Sequence, residues 1–224
     1  MNKWTLVIGL ILTSFLGFSQ KIEVSKERIV LPEGFKIDVS LSNSNQYSHS
    51  GWLPGIFFYP NGTSRNYDQI KFNQFSSQAK VIVEGTEVDV LPNLLTGIII
   101  KEDDLLGFVY VVLDFEGQSS FYEVLSNGKY ILLSHMQLKE TEKKDAHTLG
   151  VTLRFEAEQE IVDVDEQWFV LENGEVQSLK TSQKGVAKAT GVDKKVIESF
   201  VAANNLTVGN RNHLALLFDY LNTL

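Results

Sequence analysis

The sequence predicts a mainly β protein: an antiparallel sandwich or partly open barrel with a C-terminal pair of short helices. Three observations predict this class. Apolar and polar residues alternate along several segments, as they do in a strand with one buried face. Asn-Gly and Glu-Gly pairs separate these segments, which is typical of tight hairpin turns. Helical spacing of apolar residues appears only near the end of the chain.

Three segments give the strongest strand patterns. In residues 35–41 every odd position is apolar and every even position is polar, and residues 149–157 repeat this alternation. Residues 105–115 are apolar on both faces, which indicates a central strand covered on both sides. No helical crossover is visible before residue 182, so the strands are expected to be antiparallel.

Turn residues define the hairpins between these strands. Residues 79–83 and 88–90 flank Glu84-Gly85 and are predicted to form one hairpin. Further turns are predicted at Asn61-Gly62, Glu116-Gly117, Asn127-Gly128 and Asn173-Gly174. Between strands, residues 139–147 are mostly ionisable and are predicted to form a solvated loop.

The C-terminal helices are predicted at about 192–203 and 212–222. Apolar residues recur there at helical spacing, and Asn204-Asn205 separates the two stripes. Helices this short do not fold alone, so both are expected to dock on the sheet as part of the same domain.

The first 19 residues are predicted to be a cleavable signal peptide. A charged start that includes Lys3 precedes the apolar run 4–18, which at about 1.5 Å per residue is too short for a bilayer core of about 30 Å. A short membrane anchor or a buried helix is the alternative. Cleavage after Ser19 leaves residues 20–224 as a single β-rich domain with no transmembrane segment, exported to the periplasm or the exterior. Since no cysteine follows the apolar run, a lipoprotein is excluded.

Charge and cysteine content exclude several classes of function. The formal net charge is −8 and no basic stripe is visible, so nucleic acid is not an expected partner. The chain has no cysteine, which excludes thiol catalysis, iron–sulfur clusters and thiolate zinc sites.

No catalytic or cofactor motif is present, so no catalytic residue, metal ligand or cofactor is predicted. Phosphate-loop, dinucleotide and zinc-helix patterns are missing, and residues 117–121 lack the second glycine of a nucleophile elbow. The four histidines are too far apart in sequence to pair on one strand or helix face.

Acidic clusters leave one catalytic alternative open. Residues 102–104 are all acidic, and Asp163 and Asp165 share one face of a predicted strand. Carboxylates at this spacing are able to hold Ca²⁺ or to act as an acid/base pair. A solvated strand face is the simpler interpretation, because the glycine and distal glutamate of a calcium loop are missing.

Aromatic residues supply the one candidate binding surface. Trp52, Phe57, Phe58 and Tyr59 fall within eight residues, and we select Trp52, Phe57 and Tyr59 as possible contact residues. Aromatic side chains bind sugars, peptides and apolar ligands, although they also fill β cores. Pro54 favours an edge or the start of a strand, so Trp52 is expected in a loop just outside the sheet.

Three segments carry a resemblance to a known group of proteins. They are GIFFYPNG (55–62), FNQFSSQAKVIVEGTEVDVL (72–91), and the ending VIESFVAANNLTV…HLALLFDYLNTL. Over about residues 50–224 the chain resembles an uncharacterised family of exported Bacteroidota proteins that have a β-rich domain and two short C-terminal helices. The resemblance implies no activity, and no site residues follow from it.

The expected function is therefore a non-catalytic binding module of the envelope or the exterior. Its partner is expected to be an envelope protein, a peptide or an apolar ligand. One alternative is a periplasmic carrier of a lipid-like molecule, which requires a large dry cavity. The other is a hydrolase whose carboxylates are brought together by the fold.

Overall fold

The computed structural model describes residues 22–40, 48–49, 51–74, 76–115, 117–139 and 163–224, with the backbone alone at 137–139 and 163–165. The predicted signal peptide at 1–19 and the predicted strand at 149–157 lie outside these ranges. So does the predicted loop at 139–147, apart from the backbone of its first residue.

Thirteen strands and three α-helices make up the described residues. The strands are β1 Glu23–Val24, β2 Ile29–Val30, β3 Lys36–Ile37, β4 Leu53–Phe58, β5 Ser64–Asn73, β6 Gln78–Val83, β7 Thr86–Val90, β8 Gly97–Lys101, β9 Leu106–Phe115, β10 Gln118–Ser126, β11 Ile131–Lys139, β12 Asp163–Glu172 and β13 Glu175–Ser178. The helices are α1 Gln183–Thr190, α2 Lys194–Ala203 and α3 Arg211–Leu221, and a 3₁₀ turn covers Pro92–Leu94.

One large open sheet forms the body of the protein. Its strand order is β13-β12-β11-β10-β9-β8-β4-β5-β6-β7, and every neighbouring pair in this order is antiparallel. β3 lies off this path and pairs with β9 in parallel, while β1 and β2 form a separate hairpin. The prediction of a mainly β, antiparallel, open architecture is confirmed.

Three hydrophobic clusters cover the sheet. The N-terminal segment lies over one face, where Val24 packs so closely on Gly97 that a Cβ at residue 97 would lie 2.3 Å from its Cγ1. The three helices cover part of the opposite face through Leu132 and Val170. A third cluster on that same face joins β4, β5, β6, β8, β9 and β10, with the Phe72 ring stacked 4.0 Å from that of Tyr110.

Two strand predictions are confirmed and one is corrected. The hairpin β6–β7 turns at Glu84 and Gly85, whose φ angles are 51° and 79°, and β9 is a central strand covered on both faces. Of the strand predicted at 35–41, the described residues 35–40 contain only Lys36–Ile37 as strand. Beyond it the Asp38 N–H still donates to the Gly107 carbonyl, but the Ser40 N–H donates to the Asp38 carboxylate at 2.7 Å and so is taken up by a local side-chain bond in place of a strand partner.

The C-terminal region has three helices where the sequence predicts a pair. α2 and α3 match the predicted segments, and Phe200 stacks on Tyr220 at 3.9 Å between them. α1 was missed because its stripe is short: Val186 and Ala189 are its buried apolar residues. No helix among the described residues is long and apolar enough to span a membrane.

Candidate functional site

The three aromatic residues predicted as a binding surface do not lie together. Trp52 is half-buried just before β4, with the Lys71 Nζ 5.8 Å from its ring centre. Tyr59 is half-buried just after β4, so at about 3.3 Å per residue the two lie roughly 20 Å apart. Phe57 is 1% exposed and packs in the core. Trp52 is neither fully buried nor more than a third exposed.

Tyr59 belongs to a second aromatic group on the β4–β5 hairpin. Its hydroxyl lies 3.1 Å from that of Tyr67, whose ring stands 4.8 Å from the Phe57 ring. The Arg65 guanidinium lies 4.9 Å from the centre of the Tyr67 ring. We call the surface formed by Tyr59, Asn61, Ser64, Arg65 and Tyr67 the hairpin surface. A depression of about 640 Å³ is lined by four of these residues, Tyr59, Asn61, Ser64 and Arg65, and Tyr67 lies beside it.

Tyr59 on the hairpin surface is a neutral hydrogen-bonding group. Burial, together with the neighbouring Tyr67 hydroxyl, raises the pKa of Tyr59 to about 12. Its phenol therefore keeps its proton at physiological pH and can donate or accept a hydrogen bond.

A buried charge cluster occupies the centre of the sheet face that the helices cover. Arg211, the first residue of α3, places its Nη2 2.5 Å from Glu123 Oε1 and forms a second ion pair with Glu166. Its Nη1 donates to Ser134 Oγ at 3.1 Å, and its Nε donates to the Val39 carbonyl at 2.8 Å. One guanidinium thus joins α3 to β10, β11, β12 and the N-terminal segment.

The electrostatics of this cluster fit a structural role. Burial raises the pKa of Glu123, and the attraction of Arg211 offsets only part of that rise. Burial alone would lower the pKa of Arg211, but the two carboxylates together raise it by more than burial lowers it. The guanidinium therefore stays charged. The cavity beside Glu123 and Ser134 has a volume of about 10 Å³, close to that of a single water molecule. The cluster brings two carboxylates together but leaves no space for a substrate.

The other acidic residues show no chelating arrangement. Residues 102–104 follow β8, where the Asp103 carboxylate accepts the Leu105 N–H at 2.7 Å. Burial and the nearby Asp38 raise the pKa of Glu102. The side chains of Asp163 and Asp165 lie outside the described set. Among the side chains that are described, no three His, Asp or Glu residues are grouped to hold a metal ion.

The concave site with apolar walls lies between the N-terminal segment and α3, and we call it the α3 groove. Its volume is about 630 Å³. Half-buried Phe35, Ile37 and Val39 form one wall, and Leu216, 47% exposed, stands on the opposite wall. Buried Leu125 lies at the floor.

Polar groups line the α3 groove at a few defined points. Ser126, 1% exposed, donates from Oγ to Asp219 Oδ1 at 2.6 Å. Asn212 and Asp219 are exposed on α3, and exposed Lys36 lies on the opposite wall. Sequence reasoning missed this groove because its residues come from three distant segments. The exposed Leu216 inside the predicted stripe of α3 was the available signal.

Searches against protein-family models, curated proteins and solved structures found no match to this chain. The resemblance to exported Bacteroidota proteins stays a prediction.

Proposed function

We propose that this protein is an exported, non-catalytic binding module that holds an apolar segment of a partner protein in the α3 groove. The observation that supports this most is a groove of about 630 Å³ whose lining combines seven apolar residues with five polar ones. Sites that bind small molecules and peptide side chains combine apolar area for affinity with polar groups for orientation.

The apolar walls supply the affinity in this proposal. Leu216 is 47% exposed on α3, next to buried Ala215, and it faces a groove lined by Phe35 and Ile37. Full burial of a leucine side chain contributes roughly 1.5–3 kcal/mol, so covering the exposed half of Leu216 contributes about 1 kcal/mol, a factor of about five in affinity.

The charges at the α3 groove indicate which kind of peptide segment it binds. Asp219 Oδ1 accepts the hydrogen bond from Ser126, and Asp219 Oδ2 makes no hydrogen bond with the described residues. The whole chain carries −8, which attracts cationic partners. A segment with apolar side chains next to a lysine or arginine therefore fits the groove. Lys36 on the other wall is able to meet an acidic group of the same segment.

The groove is better suited to a peptide than to a carried lipid. A lipid carrier encloses its ligand, whereas the α3 groove opens to solvent at Asn212, Leu216 and Asp219. Where the described helices meet the sheet, the space is filled by buried side chains that include Leu132, Val170 and Phe218.

Fluorescence anisotropy with labelled octapeptides tests this function. One peptide alternates leucine with lysine, a second replaces leucine by serine, and a third replaces lysine by glutamate. We expect the first to bind tightest, Leu216→Asp to weaken it at least tenfold, and Asp219→Asn to weaken it about threefold to fivefold, as for an exposed ion pair.

The control for this test is Leu94→Asp, a matched change at a leucine that is 55% exposed and does not line the groove. Equal losses with Leu94→Asp and Leu216→Asp, or equal binding of the serine peptide, would contradict the proposed site.

Export is the second part of the proposal, supported by the charged start and the short apolar run that ends at Ser19. We expect the intact mass of protein recovered outside the cytoplasm to match a chain that begins at Gln20. A mass that includes residues 1–19 would contradict export by signal-peptide cleavage.

A further inference from the structure

We infer that the hairpin surface is a second binding site, independent of the α3 groove, and that its ligand is a sugar bearing a carboxylate. Tyr59, Arg65 and Tyr67 have three features that suit such a ligand. Their geometry is fixed, Arg65 is a cation that no described acid neutralises, and aromatic rings lie beside hydrogen-bonding groups.

The hairpin surface is held in a fixed geometry. The Asn61 side chain accepts hydrogen bonds from the N–H of Thr63 at 3.0 Å and from its Oγ1 at 2.7 Å. The Tyr59 N–H donates to the Thr63 carbonyl at 2.9 Å, which closes the turn. Tyr67 is fixed between the buried ring of Phe57 and the guanidinium of Arg65. A site already ordered in this way loses little conformational entropy when a ligand binds.

Arg65 supplies an unpaired positive charge. It is exposed, and its guanidinium forms neither an ion pair nor a hydrogen bond with any described residue. Stacking on Tyr67 leaves the N–H groups at the edge of the guanidinium plane available. A planar guanidinium binds a carboxylate through two parallel hydrogen bonds, which favours a carboxylate ligand over a neutral one.

The neighbouring groups suit a sugar ring. Tyr59 lines the depression, and a tyrosine ring packs against the C–H face of a sugar while its hydroxyl binds the polar edge. Exposed Asn61 and Ser64 lie in the same depression and provide further donors and acceptors for hydroxyl groups. Its volume of about 640 Å³ lies within the roughly 300–1,000 Å³ of small-ligand sites.

The overall charge of the protein makes this inference sharply testable. A chain of net charge −8 repels polyanions in general, so binding of an acidic sugar requires a local cation at the contact. Nonspecific electrostatic attraction to the protein surface therefore cannot produce binding of an acidic sugar in this test.

Isothermal titration calorimetry of the full chain with trigalacturonate tests the site, with two comparison ligands. The fully methyl-esterified trisaccharide has the same rings without the charge, and citrate has carboxylates without a sugar ring. We expect trigalacturonate to bind at least tenfold more tightly than either. Arg65→Gln should lower its affinity at least tenfold, and Arg65→Lys should restore only part of it, because an ammonium group lacks the planar fork.

Lys71→Gln is the matched control, since Lys71 is also on β5 and its Nζ lies over the aromatic ring of Trp52. It should leave trigalacturonate binding unchanged, as should Leu216→Asp in the α3 groove. Absence of binding, equal binding of the ester, or an equal loss in Lys71→Gln would overturn the inference. Loss of peptide binding in Leu216→Asp with sugar binding retained would show that the two sites are separate.

Discussion

The side-chain amide of Asn222 pairs with the backbone of Tyr130 as a neighbouring strand would. Its Oδ1 accepts the Tyr130 N–H at 2.8 Å, and its Nδ2 donates to the Tyr130 carbonyl at 3.0 Å. A Cβ on Gly128 would lie 2.4 Å from Asn222 Cγ, so glycine is required for this approach. The end of α3 is thereby attached to the turn between β10 and β11.

Replacing Asn222 tests this attachment. Asn222→Ala leaves both polar groups of the Tyr130 backbone without their partner, which costs about 2 kcal/mol. For a chain of this size the melting temperature should fall by roughly 4–8 °C in differential scanning calorimetry. Asn212→Ala, an exposed asparagine on the same helix, should change it by less than about 1 °C. Equal melting curves for the two variants would show that the contact with Tyr130 contributes nothing.

The buried ion pairs of Arg211 give a second stability prediction. Arg211→Met leaves Glu123 and Glu166 without a cation, and breaking a buried pair in this way costs roughly 3–5 kcal/mol. Urea unfolding should report that loss, whereas Arg28→Met at an exposed site should be nearly neutral.

A rescue experiment separates lost charge pairing from lost packing at Arg211. Glu123→Gln and Glu166→Gln added to Arg211→Met remove the uncompensated charges, so the triple variant should regain a measurable part of the free energy of unfolding. A triple variant no more stable than Arg211→Met would show that packing of the long side chain is what matters.

His49 predicts how stability depends on pH. Burial lowers its pKa from 6.5 to about 4, against a smaller opposing effect of the Gly51 backbone, and neither ring nitrogen has a partner in hydrogen-bond geometry among the described residues. The unfolded chain therefore binds a proton that the folded chain rejects between pH 6.5 and 4. The stabilisation is complete above pH 6.5 and is lost as pH falls toward 4, by about 3 kcal/mol in total.

The contribution of His49 is isolated by comparing pH profiles. Glu102 and Glu123, whose pKa values are raised, act in the opposite direction in acid, and His135, whose pKa burial lowers, acts in the same direction as His49. The wild-type profile alone therefore mixes several groups. The difference in unfolding free energy between the wild type and His49→Gln should shrink steadily from pH 7 to pH 4. A difference that stays constant over this range would show that His49 does not titrate between the folded and unfolded states.

Local sequence patterns predicted the parts of the fold that local interactions determine. The hairpin at Glu84-Gly85 follows from turn chemistry, and β9 follows from an apolar run covered on both faces. α1 was missed because a short helix with two buried apolar residues has almost no periodic signal. Its remaining signals were Ser182, which caps its start, and Gly191, which ends it at a φ of 68°.

The candidate sites were predicted less well because they depend on contacts between distant segments. Phe57 near the end of β4 and Tyr59 just after it are two residues apart, and the sequence alone does not show that β5 and the core cover the first while leaving the second partly exposed. The ion pairs of Arg211 reach residues 45 and more positions away, and no spacing rule relates such positions. The α3 groove is likewise assembled from the N-terminal segment, the end of β10 and α3.

An NMR titration of ¹⁵N-labelled protein with the leucine–lysine octapeptide tests the proposed function most directly. The account predicts that the largest amide shift changes fall at Lys36, Ile37, Ala215, Leu216 and Asp219, on both walls of the α3 groove, and that Leu216→Asp removes them. Shift changes spread over the surface, or confined to other elements and unaffected by Leu216→Asp, would contradict it.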